Sequence, residues 1–284
     1  MPDNKKNFIK RVDRVIDQNE KMTDKEIIRV NDILKRAGSD IDNILRSTSS
    51  TQWQQFYLPK LKDQINGRLA DLTRELESRT VSDQKEFALY SDDVADELLR
   101  SQGFPDMPVI IDPMTVDATT TLTAELVKTV PENLRTKLST TLSLGMFSGK
   151  SIIEVAEDIS KDFDISMGKA DRIVKTEFMR TQSIVQEVRY AEIAKTQTLM
   201  KGWRHSGKAD ARQGHLEAQM TYSGDGMILF ESDFKVRPTA NQSYEFMQFP
   251  RDPRASAANT VSCGCMHYVE PAERDESLPV SVFT

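Results

Sequence analysis

The scarce and chemically versatile residue types of this chain are concentrated in its last third. All three histidines (His205, His215 and His267) and both cysteines (Cys263 and Cys265) lie there, whereas the earlier part of the chain follows helical patterns. From about residue 198, glycines, aromatics and short apolar pieces replace those patterns, which is typical of short strands joined by turns. The sequence therefore predicts a mainly α fold with a small C-terminal α+β unit.

Helical periodicity dominates residues 1 to about 102 and continues after a short interruption. Thr23 with Glu26 three residues later predicts a capping box, and Gly38 predicts the end of the same helix. A longer helical run is expected from about residue 52 to 99. Further on we expect separate helices, which cover about 114–129, 131–147 (opening with Pro131), 151–159 and 166–195.

A proline-rich segment separates the two helical parts of the chain. Gly103 to Pro113 contains three prolines and one glycine, so it is interpreted as a linker or a domain boundary. We accordingly expect a helical N-terminal region over 1–112 and a second domain over 113–270, with short strands after about residue 198. Residues 271–284 are expected to form a charged, flexible tail.

The amino-acid composition and net charge argue against some classes of protein. The 284 residues are 38% hydrophobic and 29% charged, and the formal net charge is −6. This acidic balance argues against a protein that binds nucleic acid over its whole surface. The sequence has no basic-then-apolar leader and no run of about eighteen apolar residues, so we expect no membrane partner and a location in a cytoplasm or in a particle assembled there.

Glu177 occupies a position on the apolar face of the last long helix, four residues after Ile173. A carboxylate that faces a core is costly unless it is paired. We therefore expect Glu177 to meet a cationic or hydrogen-bonding partner, for which the C-terminal segment is one source.

The segment from Gly145 to Ser151 imitates a phosphate-binding loop. That loop needs four residues between its glycines, and here only three separate Gly145 from Gly149. The segment also follows a helix instead of a strand. We interpret it as a glycine helix stop followed by a serine N-cap, and we reject ATP binding.

Zinc is a second chemistry that these residue types allow. His205, His215, Cys263, Cys265 and His267 could form a site of nitrogen and sulfur ligands, but structural zinc prefers gaps of two to four residues between cysteines. Alternate residues of a strand point to opposite faces, which would separate the two thiols unless they lie in a turn. We favour a reduced pair that packs the hairpin, with no cofactor; a zinc site at His215, Cys263 and Cys265 stays the alternative.

The spacing Asp210-x-Arg212-x-x-His215 could serve catalysis. A histidine base, an arginine for an anion and an orienting aspartate are typical of phosphodiester cleavage. The competing interpretation is an Asp–Arg ion pair and a hydrogen-bonded histidine that fix a long loop. Because no second acid–base partner is evident, we favour the structural interpretation.

Four basic residues lie on the last long helix. A row of cations on a helix is usually solvated, but it could also follow a phosphate backbone with strongly salt-dependent binding. Weak, sequence-independent contact with DNA is therefore considered for Arg172, Lys175, Arg180 and Arg189.

The order and spacing of several motifs resemble the phage Mu F-like head-morphogenesis family of tailed bacteriophages over about residues 115 to 270. The family's Arg-Thr-Glu element is matched with lysine in place of arginine, and its closing Asn-Cys-Arg-Cys is matched by Ser262-Cys263-Gly264-Cys265. The motifs that carry the resemblance are Gly149-Lys-Ser151, Lys175-Thr176-Glu177, Trp203, Asp210-x-Arg212-x-x-His215, Pro250-x-Asp252-Pro253 and Cys263-x-Cys265.

This resemblance implies a minor head protein without enzymatic activity. Members of the family are packaged in few copies inside the procapsid, bound to the portal, and are associated with head assembly, DNA retention and genome delivery. The implied partners are the portal protein, scaffold or major capsid protein, and the packaged double-stranded DNA. The implied location is the virion, and the host cytoplasm during assembly.

We hypothesise that five side chains form a buried framework that ties the last long helix to the C-terminal unit: Glu177, Trp203, Asp210, Arg212 and His215. Two functions from other classes stay open. One is a nuclease-like enzyme that uses Arg212 and His215, and the other is a zinc-stabilised interaction module.

Overall fold

Four long helices make up most of the chain. The computed structural model describes residues 2–49, 53, 57–104, 113–208 and 211–272. The helices are α1 (Pro2–Ser47), α2 (Leu58–Ser101), α3 (Pro113–Phe147) and α4 (Ile152–Ala194). The predicted fold class, mainly α with a small C-terminal α+β unit, is confirmed.

Short elements follow α4, as the change in sequence pattern after residue 198 predicts. They are β1 (Leu199–Arg204), α5 (Gln213–Thr221), a single 3₁₀ turn, β2 (Ile228–Leu229), β3 (Phe234–Val236), β4 (Glu245–Met247), α6 (Ala257–Thr260) and β5 (Met266–Pro271). The short strands predicted after about residue 198 are present as β1 to β5. The proposed tail lies outside the described residues, apart from its first two positions.

Two small antiparallel sheets organise this part of the chain. In the larger sheet β1 is central and pairs with β2 on one side and β5 on the other. The register places Trp203 opposite His267 and Leu199 opposite Pro271. The second sheet consists of β3 and β4, with Phe234 opposite Met247. The central strand β1 is buried at four of its six positions because both edges are paired.

The chain forms two compact units, each assembled from separated segments. One comprises Gln18–Tyr90 and Asp112–Thr181, and the other comprises Met1–Asp17, Ser91–Ile111 and Gln182–Thr284. The predicted boundary near residue 112 stays a prediction, since residues 105–112 lie outside the described part.

The helical unit, residues 18–90 and 112–181, has one continuous apolar core. Burial of these side chains is the main favourable term in its folding. Its members come from all four long helices and include Val30, Leu34, Leu45, Leu69, Leu76, Phe87, Val127, Leu138, Val155, Ile159, Val174 and Phe178.

The other unit carries two smaller cores around its sheets. The first joins the end of α4 to the sheet through Tyr190, Ile193 and Leu199, together with Phe230 and Val269. The second surrounds the start of α5 and the β3–β4 pair, and its members are Trp203, Ala218, Phe234, Val236, Met247, Cys263 and Cys265.

The predicted capping box in α1 is wrong, because α1 runs without a break through residues 23–38. Thr23 is buried inside the helix, and its hydroxyl donates to the carbonyl oxygen of Asn19 at 2.8 Å. Gly38 does not end the helix either. A Cβ there would lie 3.4 Å from the ring of Phe163, so the glycine sits in a close helix contact.

The predicted division of the middle region into several helices is also wrong. Residues 113–147 form one helix that contains Pro131 in its interior, and residues 152–194 form another. The turn between them was predicted correctly: Gly149 has φ +72°, and the Ser151 hydroxyl accepts from the Glu154 amide at 3.3 Å. The Ser151 amide donates back to the Glu154 carboxylate at 2.8 Å, which completes a capping box.

Candidate functional site

Helix α5 carries His215 into the interior of the C-terminal unit. A Cβ at Gly214 would lie 1.6 Å from the carbonyl oxygen of Arg237, so only glycine allows α5 to approach that backbone. The His215 ring then packs edge-on against Trp203 of β1, with 5.6 Å between ring centroids. Both side chains are at most 2% exposed, so they are shielded from solvent.

The two cysteines lie on the segment between α6 and β5, and both face His215. The sulfurs of Cys263 and Cys265 are 3.5 and 3.4 Å from His215 Nδ1. Neither cysteine belongs to a strand, so the alternation that would separate them does not apply. The left-handed residue of this turn is Ser262, with φ +54°.

The far nitrogen of His215 is held by Asn259 of α6. His215 Nε2 lies 3.1 Å from Asn259 Oδ1, and both residues are buried. An amide oxygen can only accept, so this contact assigns the proton to Nε2 and leaves the lone pair of Nδ1 directed at the two sulfurs.

The side chain of Arg251 forms hydrogen bonds with the backbone of the segment that carries the two cysteines. Its guanidinium donates to the carbonyl oxygens of Cys263 at 2.8 Å and Cys265 at 2.6 Å, and to the Ser183 hydroxyl of α4 at 2.5 Å. Arg251 is fully buried and has φ +67°, a conformation that costs a non-glycine residue about 1 kcal/mol or more. The surrounding contacts therefore hold this residue in an unfavourable backbone state.

The carboxylate of Asp252 fixes the same turn. It accepts from the Gln248 amide at 2.8 Å and from the Arg254 amide at 2.9 Å. Hydrogen bonds from Arg254 and from these amides hold the pKa of Asp252 below its usual value despite burial. The Pro250-x-Asp252-Pro253 motif thus builds the turn that presents Arg251 to the cysteines.

The two thiols are electrostatically unequal. The hydrogen bond from Cys265, together with the nearby Arg251 charge, lowers the pKa of Cys263 well below its ordinary value. Burial and the neighbouring Cys263 raise the pKa of Cys265.

Arg212 connects the start of α5 to the cysteine segment. Its guanidinium donates to the carbonyl oxygen of Val261 at 2.6 Å, two residues before Cys263. The expected pairing of Arg212 with Asp210 falls on a residue outside the described part of the chain, so that element of the framework stays a prediction.

Glu177 has its partner on its own helix. Arg180 donates to both carboxylate oxygens of Glu177 at 2.5 and 2.6 Å, so the C-terminal segment is not the source of this partner. Burial raises the pKa of Glu177, and the Arg180 charge opposes that shift. Beside it, Gln84 donates to the Thr181 hydroxyl at 2.7 Å. Glu177 is thus part of the core of the helical unit.

The four cations considered for DNA differ in their surroundings. Arg172 is exposed and Lys175 is half-buried. Arg180 is engaged with Glu177, and Arg189 is 4% exposed and pairs with Asp92 and with Asp96 at 2.6 Å. A guanidinium buried against two carboxylates is not available to a phosphate, so the structure argues against DNA contact at Arg189.

The other two histidines lie away from the cysteines. His205 Nδ1 accepts from the Gly207 amide at 2.9 Å. His267 is fully buried and faces Glu187, with 3.1 Å between Nε2 and a carboxylate oxygen, and burial lowers its pKa. The sequence placed all three histidines among the candidate ligands, and the fold selects only His215.

Lys201 is a buried cation that the sequence did not single out. Its ammonium donates to the Gln248 carbonyl oxygen at 2.8 Å and lies over the rings of Phe230 and Phe234. Burial lowers the pKa of Lys201 to about 8. Its position on the central strand β1, between paired edges, is the signal that could have identified it.

No family model, no curated protein and no solved structure matches this chain. Within the described residues, no helix combines the length and apolar character needed to cross a membrane.

Proposed function

We propose that this chain is a non-enzymatic minor head protein of a tailed bacteriophage, bound to the portal inside the head. In this role it would act in head assembly and in DNA retention and delivery. The observation that carries the proposal is the convergence of residues spread over about sixty positions into one buried arrangement around Trp203, His215 and Arg251. Trp203 and His215 belong to the motif series that resembles the Mu F-like family, and Arg251 occupies the variable position of its Pro250-x-Asp252-Pro253 element.

The contacts of the motif residues favour an architectural role over a catalytic one. A general base must come within hydrogen-bonding reach of its substrate. His215 is 2% exposed, and both of its ring nitrogens face protein groups. Arg212 donates to a backbone carbonyl. Each polar group is thus used to position another segment of the same unit.

The turn between α3 and α4 offers a surface for a partner. Leu144, Phe147 and Ile153 are 62%, 70% and 52% exposed, although all three are large and apolar. Several exposed apolar side chains close together are typical of an interaction site. We propose that this turn contributes to contact with the portal or with another head protein.

Co-expression with the cognate portal protein tests the proposal. We expect the chain to co-purify with the portal ring and to be present in purified particles. Leu144→Ser and Phe147→Ser should weaken co-purification. Leu89→Ser, at an exposed position of α2, is the matched control and should leave it unchanged. A chain that is absent from particles and does not bind the ring would refute the proposal.

A nuclease assay separates this function from the enzymatic alternative. Purified protein is incubated with labelled DNA and RNA, with and without divalent metal. We expect no cleavage. Cleavage that is abolished by His215→Ala in a variant that still folds would establish the nuclease instead.

We also propose weak contact between the packaged DNA and the cations Arg172 and Lys175. Neutralising both should reduce binding to double-stranded DNA at low salt and make its salt dependence shallower. Equal binding by the variant and the wild type would exclude this surface.

A further inference from the structure

The buried cluster of His215, Cys263 and Cys265 has the composition of a metal site. One nitrogen and two sulfurs, all within 4.8 Å of one another, come from three buried residues. Nitrogen and thiolate sulfur are the ligands that zinc prefers in proteins.

The spacing of the ligand atoms fits a tetrahedral ion. With Zn–N of about 2.0–2.1 Å and Zn–S of about 2.3 Å, tetrahedral geometry separates nitrogen and sulfur ligands by roughly 3.5 Å. The two separations from His215 Nδ1 are 3.5 Å to Cys263 and 3.4 Å to Cys265. Both nitrogen–sulfur separations thus match those expected for ligands of one tetrahedral ion.

The hydrogen bonding of His215 is a second, independent observation. Metal-binding histidines donate their other ring N–H to an acceptor, which fixes the tautomer and the ring orientation. Asn259 Oδ1 occupies that place at 3.1 Å from Nε2. A single lone pair on Nδ1 can accept only one thiol proton, yet two sulfurs lie at nearly equal distance from it. A cation shared by all three atoms accounts for this symmetry.

Charge balance also favours an ion at this place. Two thiolates balance the charge of a divalent cation, so the zinc-bound site would place no net charge in the protein interior. The guanidinium of Arg251 donates to the carbonyl oxygens of Cys263 and Cys265, so it fixes the backbone on both sides of Gly264 and orients the two sulfurs.

We propose that His215 Nδ1 and the sulfurs of Cys263 and Cys265 bind one zinc ion, which links α5 to the segment that leads into β5. The ion would stabilise the C-terminal unit, since its ligands come from positions 48 and 50 residues apart in sequence. This inference is independent of the proposed portal function, and its test uses the purified protein alone.

Elemental analysis of the untagged, full-length protein is the first measurement. We expect about one equivalent of zinc after gel filtration. Replacement by Co²⁺ should give the visible bands of a tetrahedral site and a thiolate-to-cobalt charge-transfer band. Cys263→Ser and Cys265→Ser should each lose the metal and the charge-transfer band. His205→Gln, which changes a histidine outside the cluster, should retain both.

Asn259 provides a test that leaves every ligand in place. Asn259→Ala should weaken zinc binding by roughly 10- to 100-fold, whereas Asn259→Asp, which keeps an oxygen acceptor, should weaken it less.

If the cysteine variants fail to fold, chelation of zinc from the wild type tests the proposal instead. Removal of zinc should lower the Tm of the wild type. A folded wild type without zinc or cobalt binding, or serine variants that keep a full equivalent, would overturn the proposal.

Discussion

The guanidinium of Arg251, a fully buried residue, donates a 2.8 Å hydrogen bond to the carbonyl oxygen of Cys263. The same nitrogen reaches the Cys265 carbonyl oxygen. The turn that contains Arg251 is thereby tied to the segment that carries both thiols.

Arg251→Lys should destabilise the protein by about 2–4 kcal/mol, because an ammonium cannot reproduce the fork that contacts two carbonyl oxygens and Ser183. The free energy of unfolding by urea measures the loss. Arg254→Lys in the same turn is the control, since Arg254 is 56% exposed and should cost about 1 kcal/mol or less. Equal effects of the two substitutions would contradict this account of Arg251.

Glu26 should make stability depend on pH. Burial, together with the neighbouring Asp83 carboxyl, raises the pKa of Glu26 to about 8 in the folded protein. The unfolded chain loses this proton near its ordinary pKa of 4.5, so the folded state holds more protons between these values. The contribution of Glu26 is therefore fully present below about pH 4.5 and is lost as the pH rises towards 8.

Glu26→Gln tests this sign. The amide stays neutral, so the variant should gain stability relative to the wild type as the pH is raised from 5 to 8. Melting temperatures across that range provide the measurement, and Glu86→Gln, at an exposed position of α2, is the matched control. A constant difference between Glu26→Gln and the wild type at all pH values would show that Glu26 is not protonated in the fold.

The buried pair of Glu177 and Arg180 should respond very differently to single and double substitution. Arg180→Met leaves a carboxylate in the core without its 2.5 Å partner and should cost about 3 kcal/mol or more. Glu177→Leu combined with Arg180→Met removes both charges and should recover most of that loss. A double-mutant cycle by chemical denaturation measures the coupling. Additive effects would mean that the two side chains do not depend on each other.

Local signals predicted the class of structure but not the extent of its helices. The helical period of α1 and the change of pattern after residue 198 were sufficient for the fold class. Thr23 and Gly38 resemble helix-end signals, yet tertiary packing against residues such as Phe163 retains them inside one helix. Pro131 likewise lies within α3. A single sequence does not contain the distant contacts that override such signals.

The candidate site was predicted in part for a similar reason. His215, Cys263 and Cys265 were identified by residue type, and the fold brings them together. Arg251 was overlooked because an arginine between prolines resembles an exposed turn residue. Its burial depends on carbonyl groups twelve and fourteen residues away, which side-chain chemistry alone does not indicate.

Gly145 should be intolerant of even one added methyl group. A Cβ there would lie 2.3 Å from a methyl carbon of Val155, which shows how closely α3 approaches α4. Gly145→Ala should therefore destabilise the protein by about 1–3 kcal/mol, although alanine favours the helix by about 1 kcal/mol. Denaturant unfolding measures the change.

Two further variants identify the clash as the cause. Adding Val155→Ala to Gly145→Ala removes the opposing methyl groups, so the double variant should lose less than the sum of the single effects. Gly67→Ala in α2 is the matched control: nothing lies within 4 Å of its added Cβ, and it should stabilise by about 0.5–1 kcal/mol. If Gly145→Ala were as stabilising as Gly67→Ala, the close approach of α3 and α4 at this point would be wrong.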